Sequence, residues 1–218
     1  SIFYLVLVFH GRLTKNSKYI STVQKLVVAT GNPGKLEEIQ EYLVDLPWEL
    51  VLKPTEIDVD ETGTTFIANA RLKASEVAKA VGEWSIADDS GLAVDALNDA
   101  PGLYSARYGK TDSDRINRLL RELGDNQNRQ AKFICAIAIA NPQGEIILAT
   151  TGICPGEILN SPRGNGGFGY DPIFYVPSQQ QTFAEMSAST KNRISHRGIA
   201  FAQLMPELKQ LSARLASE

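Results

Sequence analysis

Two apolar segments in the middle of the chain, residues 131–140 and 145–151, constrain the fold more than any other feature. Only the four residues Asn141-Pro142-Gln143-Gly144 separate them, and Asn, Pro and Gly favour tight turns. Two strand-like segments joined by so short a turn predict an antiparallel β-hairpin. This hairpin is the antiparallel part of the sheet that we expect the chain to form.

Strand-like and helical patterns are mixed through the rest of the chain. Apolar segments of strand length occur at residues 25–30, 48–53, 85–87, 153–159 and 173–176. Apolar residues recur at helical spacing at residues 35–44, 112–123 and 195–216, and Thr64 or Thr65 is placed to cap a further helix near Phe66. Helices at both ends and a hairpin between them predict an α/β fold with a mixed sheet.

The first 24 residues stand apart from this pattern. Residues 2–9 are strongly apolar, but a helix needs about 20 residues to cross a bilayer, and no basic region precedes them. We therefore predict no partnership with a membrane. Residues 1–24 are interpreted as an N-terminal extension of unknown role, and residues 25–218 as the single functional domain.

Charge and cysteine content narrow the range of partners. The net charge of −3 disfavours a nucleic-acid partner, whereas a small anionic ligand needs only local positive charge. Cys135 and Cys154 belong to no CxxC motif or Cys/His cluster, which disfavours a zinc site or a disulfide framework. Two free cysteines are typical of a reducing compartment and predict a cytoplasmic location.

A glycine-containing turn, Thr30-Gly31-Asn32-Pro33-Gly34-Lys35, lies between a predicted strand and a predicted helix. Free N–H groups at the start of a helix attract phosphate, and Lys35 adds a positive charge. The segment is not the P-loop pattern GxxxxGK[ST], and strand–turn–helix junctions are common. Phosphate binding and a purely structural junction are both consistent with this turn.

Two acidic segments are candidates for chemistry. In Asp88-Asp89-Ser90-Gly91, adjacent carboxylates point to opposite sides if the backbone is extended, so that one can bind a metal or activate water while the other supports it. A solvated turn is the alternative, since Asp-Ser-Gly favours turns. Glu61, in the loop at residues 58–63, could complete a magnesium site with Asp89, although an acidic surface loop is the simpler interpretation of this segment taken alone.

Two later segments could contact a flat ligand. Residues 164–172 surround Phe168 and Tyr170 with glycines, which favours close backbone approach and stacking; a flexible surface loop is the alternative. Ser195-His196-Arg197-Gly198 places two basic side chains at a helix start, where Ser195 could simply act as a cap.

Together these motifs resemble the inosine triphosphate pyrophosphatases, the family that acts on non-canonical purine nucleoside triphosphates. Four segments carry the resemblance: ATGNPGK, DETGTTF followed by NAxxKA, IADDSGLAVDAL with APGLYSARY, and GGFGYDPIF with a later SHRG. They span about residues 25–215 in the order typical of the family.

The resemblance implies an elongated, twisted mixed sheet with two lobes, a central substrate cleft and a homodimer. It also implies Mg²⁺-dependent hydrolysis of ITP, dITP and XTP to the monophosphate and pyrophosphate. Asp89 would be the proton acceptor and, with Glu61, a metal ligand. The residues that would bind substrate are Thr30, Gly31, Asn32, Pro33, Gly34, Lys35, Ser90, Phe168, Gly169, Tyr170, Asp171, Lys191, His196 and Arg197.

One departure concerns the metal site, because the family often has Glu where this chain has Ala68. Other functions stay open at this point. A related pyrophosphatase could act on other nucleotides such as modified pyrimidines, and a nucleotide sensor would need no catalysis. The retained acids argue against a sensor, and adjacent acids argue against a glycosidase.

Overall fold

A seven-stranded mixed sheet forms the frame of the structure, a computed structural model that describes residues 23–217. Its strands lie in the order β2-β1-β3-β4-β5-β6-β7. β1 is parallel to β2 and β3, and every later pair is antiparallel. The strands are β1 Gln24–Val28, β2 Trp48–Leu52, β3 Trp84–Val94, β4 Gln130–Ala140, β5 Ile146–Ile158, β6 Phe174–Val176 and β7 Gln181–Thr182. The predicted α/β fold with a mixed sheet is confirmed.

Helices cover both faces of this sheet. They are α1 Pro33–Leu43, α2 Phe66–Val81, α3 Asp112–Leu123, α4 Ala188–Ile194 and α5 His196–Leu215. On one face, Ile39 of α1 and Phe201 of α5 pack with Ile86 of β3. On the other, Ala74 of α2 packs with Ala87 of β3. Side chains alternate between faces along a strand, so neighbouring β3 residues meet different helices.

The three central strands connect two lobes. The first half of β3, with Ile86, belongs to the core under α1 and α5, whereas Leu92 belongs to a second core with Leu119 of α3 and Phe174 of β6. The segment Asp88-Asp89-Ser90-Gly91 therefore lies in the middle of β3, where the lobes meet. The predicted two-lobed sheet agrees with this arrangement.

Capping residues define the helix starts that the sequence predicted. Thr65 caps α2 by accepting a hydrogen bond from the N–H of Ala68. Thr111 and Asp114 form a capping box at the start of α3, in which each side chain satisfies a backbone N–H of the other residue. Ser195 caps α5 in the same way as Thr65 caps α2.

Two predictions about strands were wrong, and one short helix was not predicted. β3 does not end at Asp88, because pairing with β4 continues without interruption from Ser85 to Val94. Residues 145–151 and 153–159 belong to one strand, β5, because pairing with β4 continues through Gly152. Gly152 leaves room for α5, since a Cβ on it would lie 2.2 Å from the carbonyl oxygen of His196. The short helix α4 was not predicted, because seven residues are too few for a clear helical period.

The predicted N-terminal extension lies mostly outside the described residues, which begin at Val23. Gln24 is the first residue of β1 and pairs with Trp48 of β2. Among the residues described, no helix has the length and apolar character needed to cross a membrane.

Candidate active site

The adjacent carboxylates of Asp88 and Asp89 point to opposite faces of β3. The carboxylate of Asp88 contacts Lys35 of α1 and Arg197 of α5. The carboxylate of Asp89 contacts two residues of α2 on the other face, Asn69 and Lys73. The extended-backbone interpretation of the Asp-Asp pair is therefore confirmed, and the turn interpretation was wrong.

On the α2 face, two carboxylates share one ammonium group. Lys73 Nζ lies 2.8 Å from Glu61 Oε1 and 3.4 Å from Asp89 Oδ1. Asn69 Nδ2 donates to Asp89 Oδ2 at 3.1 Å, and Arg107 Nη2 donates to Glu61 Oε2 at 2.8 Å. Glu61 and Asp89 therefore face a common point, although 28 residues of sequence separate them.

The two carboxylates differ in basicity. Burial raises the pKa of Asp89 above the ordinary value, and the charges of Lys73 and Lys35 only partly oppose this effect. Burial alone would also raise the pKa of Glu61, but the hydrogen bond and charge of Lys73 outweigh it and lower that pKa. The direction of the Asp89 shift is the one that favours a proton acceptor.

The donor set fits a hard divalent cation. Within residues 23–217 no group of three or more His, Cys, Asp or Glu side chains is placed to hold a metal. Mg²⁺, however, is usually bound by one or two carboxylates together with water and substrate phosphate. Two carboxylates that already converge on the ammonium of Lys73 meet that requirement. Ala68, in the first turn of α2, contributes no further acid.

The predicted phosphate turn forms the junction between β1 and α1. Asn32 caps α1 by accepting hydrogen bonds from the N–H groups of Gly34 at 3.0 Å and Lys35 at 3.3 Å. Pro33 has no N–H group. The expectation that these helix-start N–H groups are free was therefore wrong, because the Asn32 side chain accepts from both.

A cavity of about 360 Å³ extends from this turn to Glu61 and Lys73, and Asp89 contacts Lys73 without lining the cavity. Thr30, Gly31, Asn32 and Lys35 line one side of the cavity, and Glu61 with Lys73 lines another. Its volume is within the range of small-molecule sites, about 300–1,000 Å³. The remaining lining residues are Ala29, Lys53, Asp58, Val59, Asp60, Val77, Ala106 and Arg107.

The opposite face of β3 holds a chain of alternating charges. Asp88 Oδ2 lies 3.1 Å from Lys35 Nζ and 2.8 Å from Arg197 Nη2. Arg197 also donates to Ser90 Oγ at 3.0 Å and, through Nη1, to Glu38. Arg197 is 1% exposed, so its guanidinium is an internal member of this charge chain.

Lys191 extends the charge chain to residues 164–172, which we call the aromatic loop. Its Nζ lies 2.8 Å from Glu38 Oε1 and 2.7 Å from Asp171 Oδ2. It also lies 4.8 Å from the centre of the Phe168 ring. We define the charge chain as the six residues Lys35, Asp88, Arg197, Glu38, Lys191 and Asp171.

The aromatic loop packs directly on the phosphate turn. A Cβ on Gly34 would lie 2.6 Å from Phe168 Cδ1, so the ring occupies the space that this glycine leaves. Gly169 N donates to Asp112 Oδ2 at 2.7 Å, which fastens the loop to α3. Tyr170 is buried, and its hydroxyl donates to the carbonyl oxygen of Ser105 at 2.9 Å. The side chain of Tyr170 therefore packs inside the protein, while the ring of Phe168 lies against the phosphate turn.

His196 lies among aromatic rings at the start of α5. Its ring stacks on Phe133 with centroids 4.6 Å apart. Burial, followed by the charge of Arg197, holds the pKa of His196 well below its usual value, so the imidazole is neutral. His196 Nδ1 and Arg197 Nε are buried and have no hydrogen-bond partner among residues 23–217.

Sequence reasoning missed several residues of the site. Asn69 and Lys73 are four apart on α2, and Lys35 and Glu38 are three apart on α1. Such spacings place side chains on the same face of a helix, so the NAxxKA segment carried a usable signal. The pairing of Glu38 with Arg197 had no comparable signal, because 159 positions separate them.

The fold and the cavity define an α/β enzyme in which carboxylates and lysines converge on a site for a phosphorylated small molecule. Residues 26–207 match the model of the Ham1 family, and the chain belongs to this family. It is 66% identical over 183 residues to a dITP/XTP pyrophosphatase of Nostoc sp., covering 84% of this chain and 93% of that protein. A dITP/XTP pyrophosphatase of Synechocystis sp. is 63% identical, with 83% and 93% covered.

Solved structures agree with this assignment. The Ham1 protein of Staphylococcus aureus superposes with a TM-score of 0.78 at 41% identity, covering 86% of this chain and 100% of that one. A HAM1 protein from Coxiella burnetii gives a TM-score of 0.75 at 45% identity, with 89% and 100% covered. The family resemblance predicted from four sequence segments is confirmed.

Proposed function

We propose that this chain hydrolyses the non-canonical purine nucleoside triphosphates ITP, dITP and XTP to the monophosphate and pyrophosphate. The observation that carries the proposal is the cavity in which the turn Thr30–Lys35 faces Glu61 and Lys73, with Asp89 behind Lys73. The similarity to proteins named dITP/XTP pyrophosphatase supports the choice of substrate.

Asp89 is the proposed general base. A water molecule attacks the α-phosphorus, and its proton passes to Asp89. The bond between the α-phosphorus and the oxygen that bridges to the β-phosphorus breaks, and pyrophosphate leaves with the bonding electron pair. The raised pKa of Asp89 makes its ionised form a better proton acceptor than an ordinary aspartate.

Glu61 and Asp89 are the residues that would hold Mg²⁺. When bound, the ion would neutralise phosphate charge and orient the triphosphate. Lys73 already lies between these carboxylates and, with the two acids turned toward a cation, its ammonium becomes available to a phosphate oxygen. Lys35 adds charge from the phosphate turn.

The purine base of the substrate is proposed to lie on the other side of the phosphate turn, near the charge chain. Phe168 offers an aromatic face, and Ser90, Gly169, Tyr170, Asp171, Lys191, His196 and Arg197 complete the predicted set. Arg197 Nε carries a hydrogen and lacks a partner among the described residues. A purine 6-oxo group would accept from such a donor, whereas the amino group of adenine would not, and an unpaired buried donor costs about 1–3 kcal/mol.

A homodimer and a cytoplasmic location are also proposed from the family resemblance and the cysteine chemistry. Cys135 and Cys154 are both buried free thiols, which burial keeps protonated by raising their pKa. Such thiols are in keeping with a reducing compartment.

The test is pyrophosphate release from ITP, dITP, XTP, GTP, ATP and a modified pyrimidine triphosphate, with Mg²⁺ and with a chelator. We expect kcat/KM to favour the 6-oxo purines other than GTP and to require the metal. Release of orthophosphate instead of pyrophosphate, or equal rates on ATP and ITP, would contradict the proposal. If the modified pyrimidine triphosphate gave the highest kcat/KM, the substrates would be pyrimidine and not purine nucleotides.

A further inference from the structure

Lys53 follows β2 at the edge of the sheet where the carboxyl ends of the parallel strands β1 and β2 meet, beside the point where β3 continues past Ile86. Its backbone N–H donates to the carbonyl oxygen of Val28, the last residue of β1, at 3.2 Å. The phosphate turn begins two residues beyond Val28. Ligands of open sheets bind outside the carboxyl ends of parallel strands, which is where this lysine lies.

The side chain of Lys53 is held toward the cavity. Its Nζ donates to the carbonyl oxygen of Ile57 at 2.5 Å, and the residue is partly buried and lines the cavity. An ammonium group has three hydrogens. The bond to Ile57 fixes the direction of the chain and leaves two donors for a ligand.

Lys53 differs from the other cations of this cavity in having no carboxylate partner. Lys35 pairs with Asp88, Lys73 with Glu61 and Asp89, and Arg107 with Glu61. In the part of the chain that the structure describes, Lys53 has only the Ile57 carbonyl. Its charge is therefore the one that an anionic ligand can neutralise without breaking an existing ion pair.

Strand order gives this charge a position along the substrate. The order β2-β1-β3 places Lys53 on one side of the phosphate turn and Asp89 on the other. Adjacent strands are about 4.8 Å apart, so two spacings separate β2 from β3 across the sheet, and Asp89 lies three residues beyond the last β3 residue that pairs with β1. A triphosphate with its α-phosphorus near Asp89 extends across the turn toward β2.

We propose that Lys53 binds the two terminal phosphates of the substrate, the part that leaves as pyrophosphate. This inference rests on the proposed function. Lys53 is thus a further substrate-binding residue, and it acts on the leaving group without contacting the nucleoside.

The experiment compares inorganic pyrophosphate with inosine monophosphate as ligands of the full chain. Binding of each is measured by calorimetry for the wild type, K53Q and K53R, together with ITP kinetics. K53Q should weaken pyrophosphate binding roughly tenfold, as expected for a lost hydrogen bond to a charged group. Binding of the monophosphate should be unchanged, KM for ITP should rise, and K53R should restore much of the loss.

K25Q is the matched control. Lys25 lies in β1 near the opposite end of the sheet, is exposed and pairs weakly with Glu83 at 3.9 Å. The K25Q substitution removes one positive charge, as K53Q does, and pyrophosphate binding should not change. A thermal melt of each variant reports whether loss of the Ile57 contact affects folding.

The possible outcomes separate this inference from the proposed function. Unchanged pyrophosphate binding in K53Q, or equal losses for pyrophosphate and monophosphate, would overturn the role of Lys53. Failure of the wild type to release pyrophosphate from any triphosphate would overturn the proposed function, and pyrophosphate binding would still decide whether Lys53 holds that anion.

Discussion

The two faces of β3 place the same chemical group in opposite circumstances. Asp88 faces α1 and α5, where Lys35 and Arg197 contact one of its oxygens. Asp89 faces α2, where Lys73 is shared with Glu61 beside an open cavity. Both residues are nearly inaccessible, at 2% and 7% exposed, so burial alone does not distinguish them.

Their pKa values shift in opposite directions because their partners differ. Burial would raise the pKa of Asp88, but the charges of Lys35 and Arg197 outweigh it and hold that pKa far below the usual range. The pKa of Asp89 is raised because its cations do not overcome burial. The difference teaches that the surplus of positive charge, rather than depth, decides which of two adjacent buried acids is the stronger base.

D88N should produce the largest change in stability. The asparagine removes one of the two carboxylates that pair with the buried Arg197, and breaking a buried pair from one side costs about 3–5 kcal/mol. The folded pKa of Asp88 lies below its unfolded value, so this contribution is present at neutral pH and is lost as pH falls through the folded value. Urea unfolding at neutral pH measures it. A loss well under 1 kcal/mol would mean that the two faces are energetically alike.

D89N should instead lower kcat while the protein remains folded. Removing a positioned base that also holds metal should reduce kcat for ITP about 100-fold or more. Because the folded pKa of Asp89 is raised, its ionised form costs stability above that pKa. At neutral pH, D89N should therefore unfold at the same urea concentration as the wild type or higher. Near-normal turnover would remove Asp89 from the base role.

G34A tests whether the aromatic loop and the phosphate turn act together. The new methyl group would lie 2.6 Å from Phe168 Cδ1, so the ring must move. We expect KM for ITP to rise roughly tenfold, comparable to the loss of about 1.4 kcal/mol of binding, with a smaller change in kcat. The control is the double variant with F168A. If G34A acts by displacing the Phe168 ring, it should change KM for ITP little when F168A has already removed that ring.

The titration of Asp89 in the metal-free protein gives the smallest and most specific effect. Its midpoint, followed by NMR of the carboxyl carbon, should lie above 3.8, the ordinary Asp value, because burial raises the pKa of Asp89. Lys73 lowers that pKa, so K73M should move the midpoint to higher pH. A shift to lower pH would show that Lys73 does not act on this carboxyl group. D88N, if it remains folded, serves as the comparison on the opposite face.

Local signals predicted the parts of the structure that local chemistry determines. Thr65 marked the start of α2, apolar spacing predicted α3 at residues 112–123, and strand alternation predicted the opposite directions of Asp88 and Asp89. The Asp-Ser-Gly turn signal failed because pairing with β4 overrides it. Tertiary pairing often overrides such local preferences.

The charge chain and Lys53 were beyond sequence reasoning for a different reason. Glu38, Asp88 and Arg197 come from α1, β3 and α5, and only the packed fold brings them within hydrogen-bond distance. Lys53 is the last residue of the strand predicted at residues 48–53, and in the structure it lies just beyond the end of β2. Its significance comes from the absence of a carboxylate partner among the described residues, which no spacing in a sequence can indicate.

The uninterrupted pairing of β3 has a consequence for how this sequence can vary in length. Asp88 and Asp89 pair with Ile137 and Ala136 of β4, and an insertion or deletion of one residue before them within β3 would exchange the two faces. Asp89 would then face α1 and α5, and the charge chain would lose the carboxylate of Asp88. Length variation should therefore be confined to connections such as residues 141–145, while the odd–even parity of β3 is inherited unchanged.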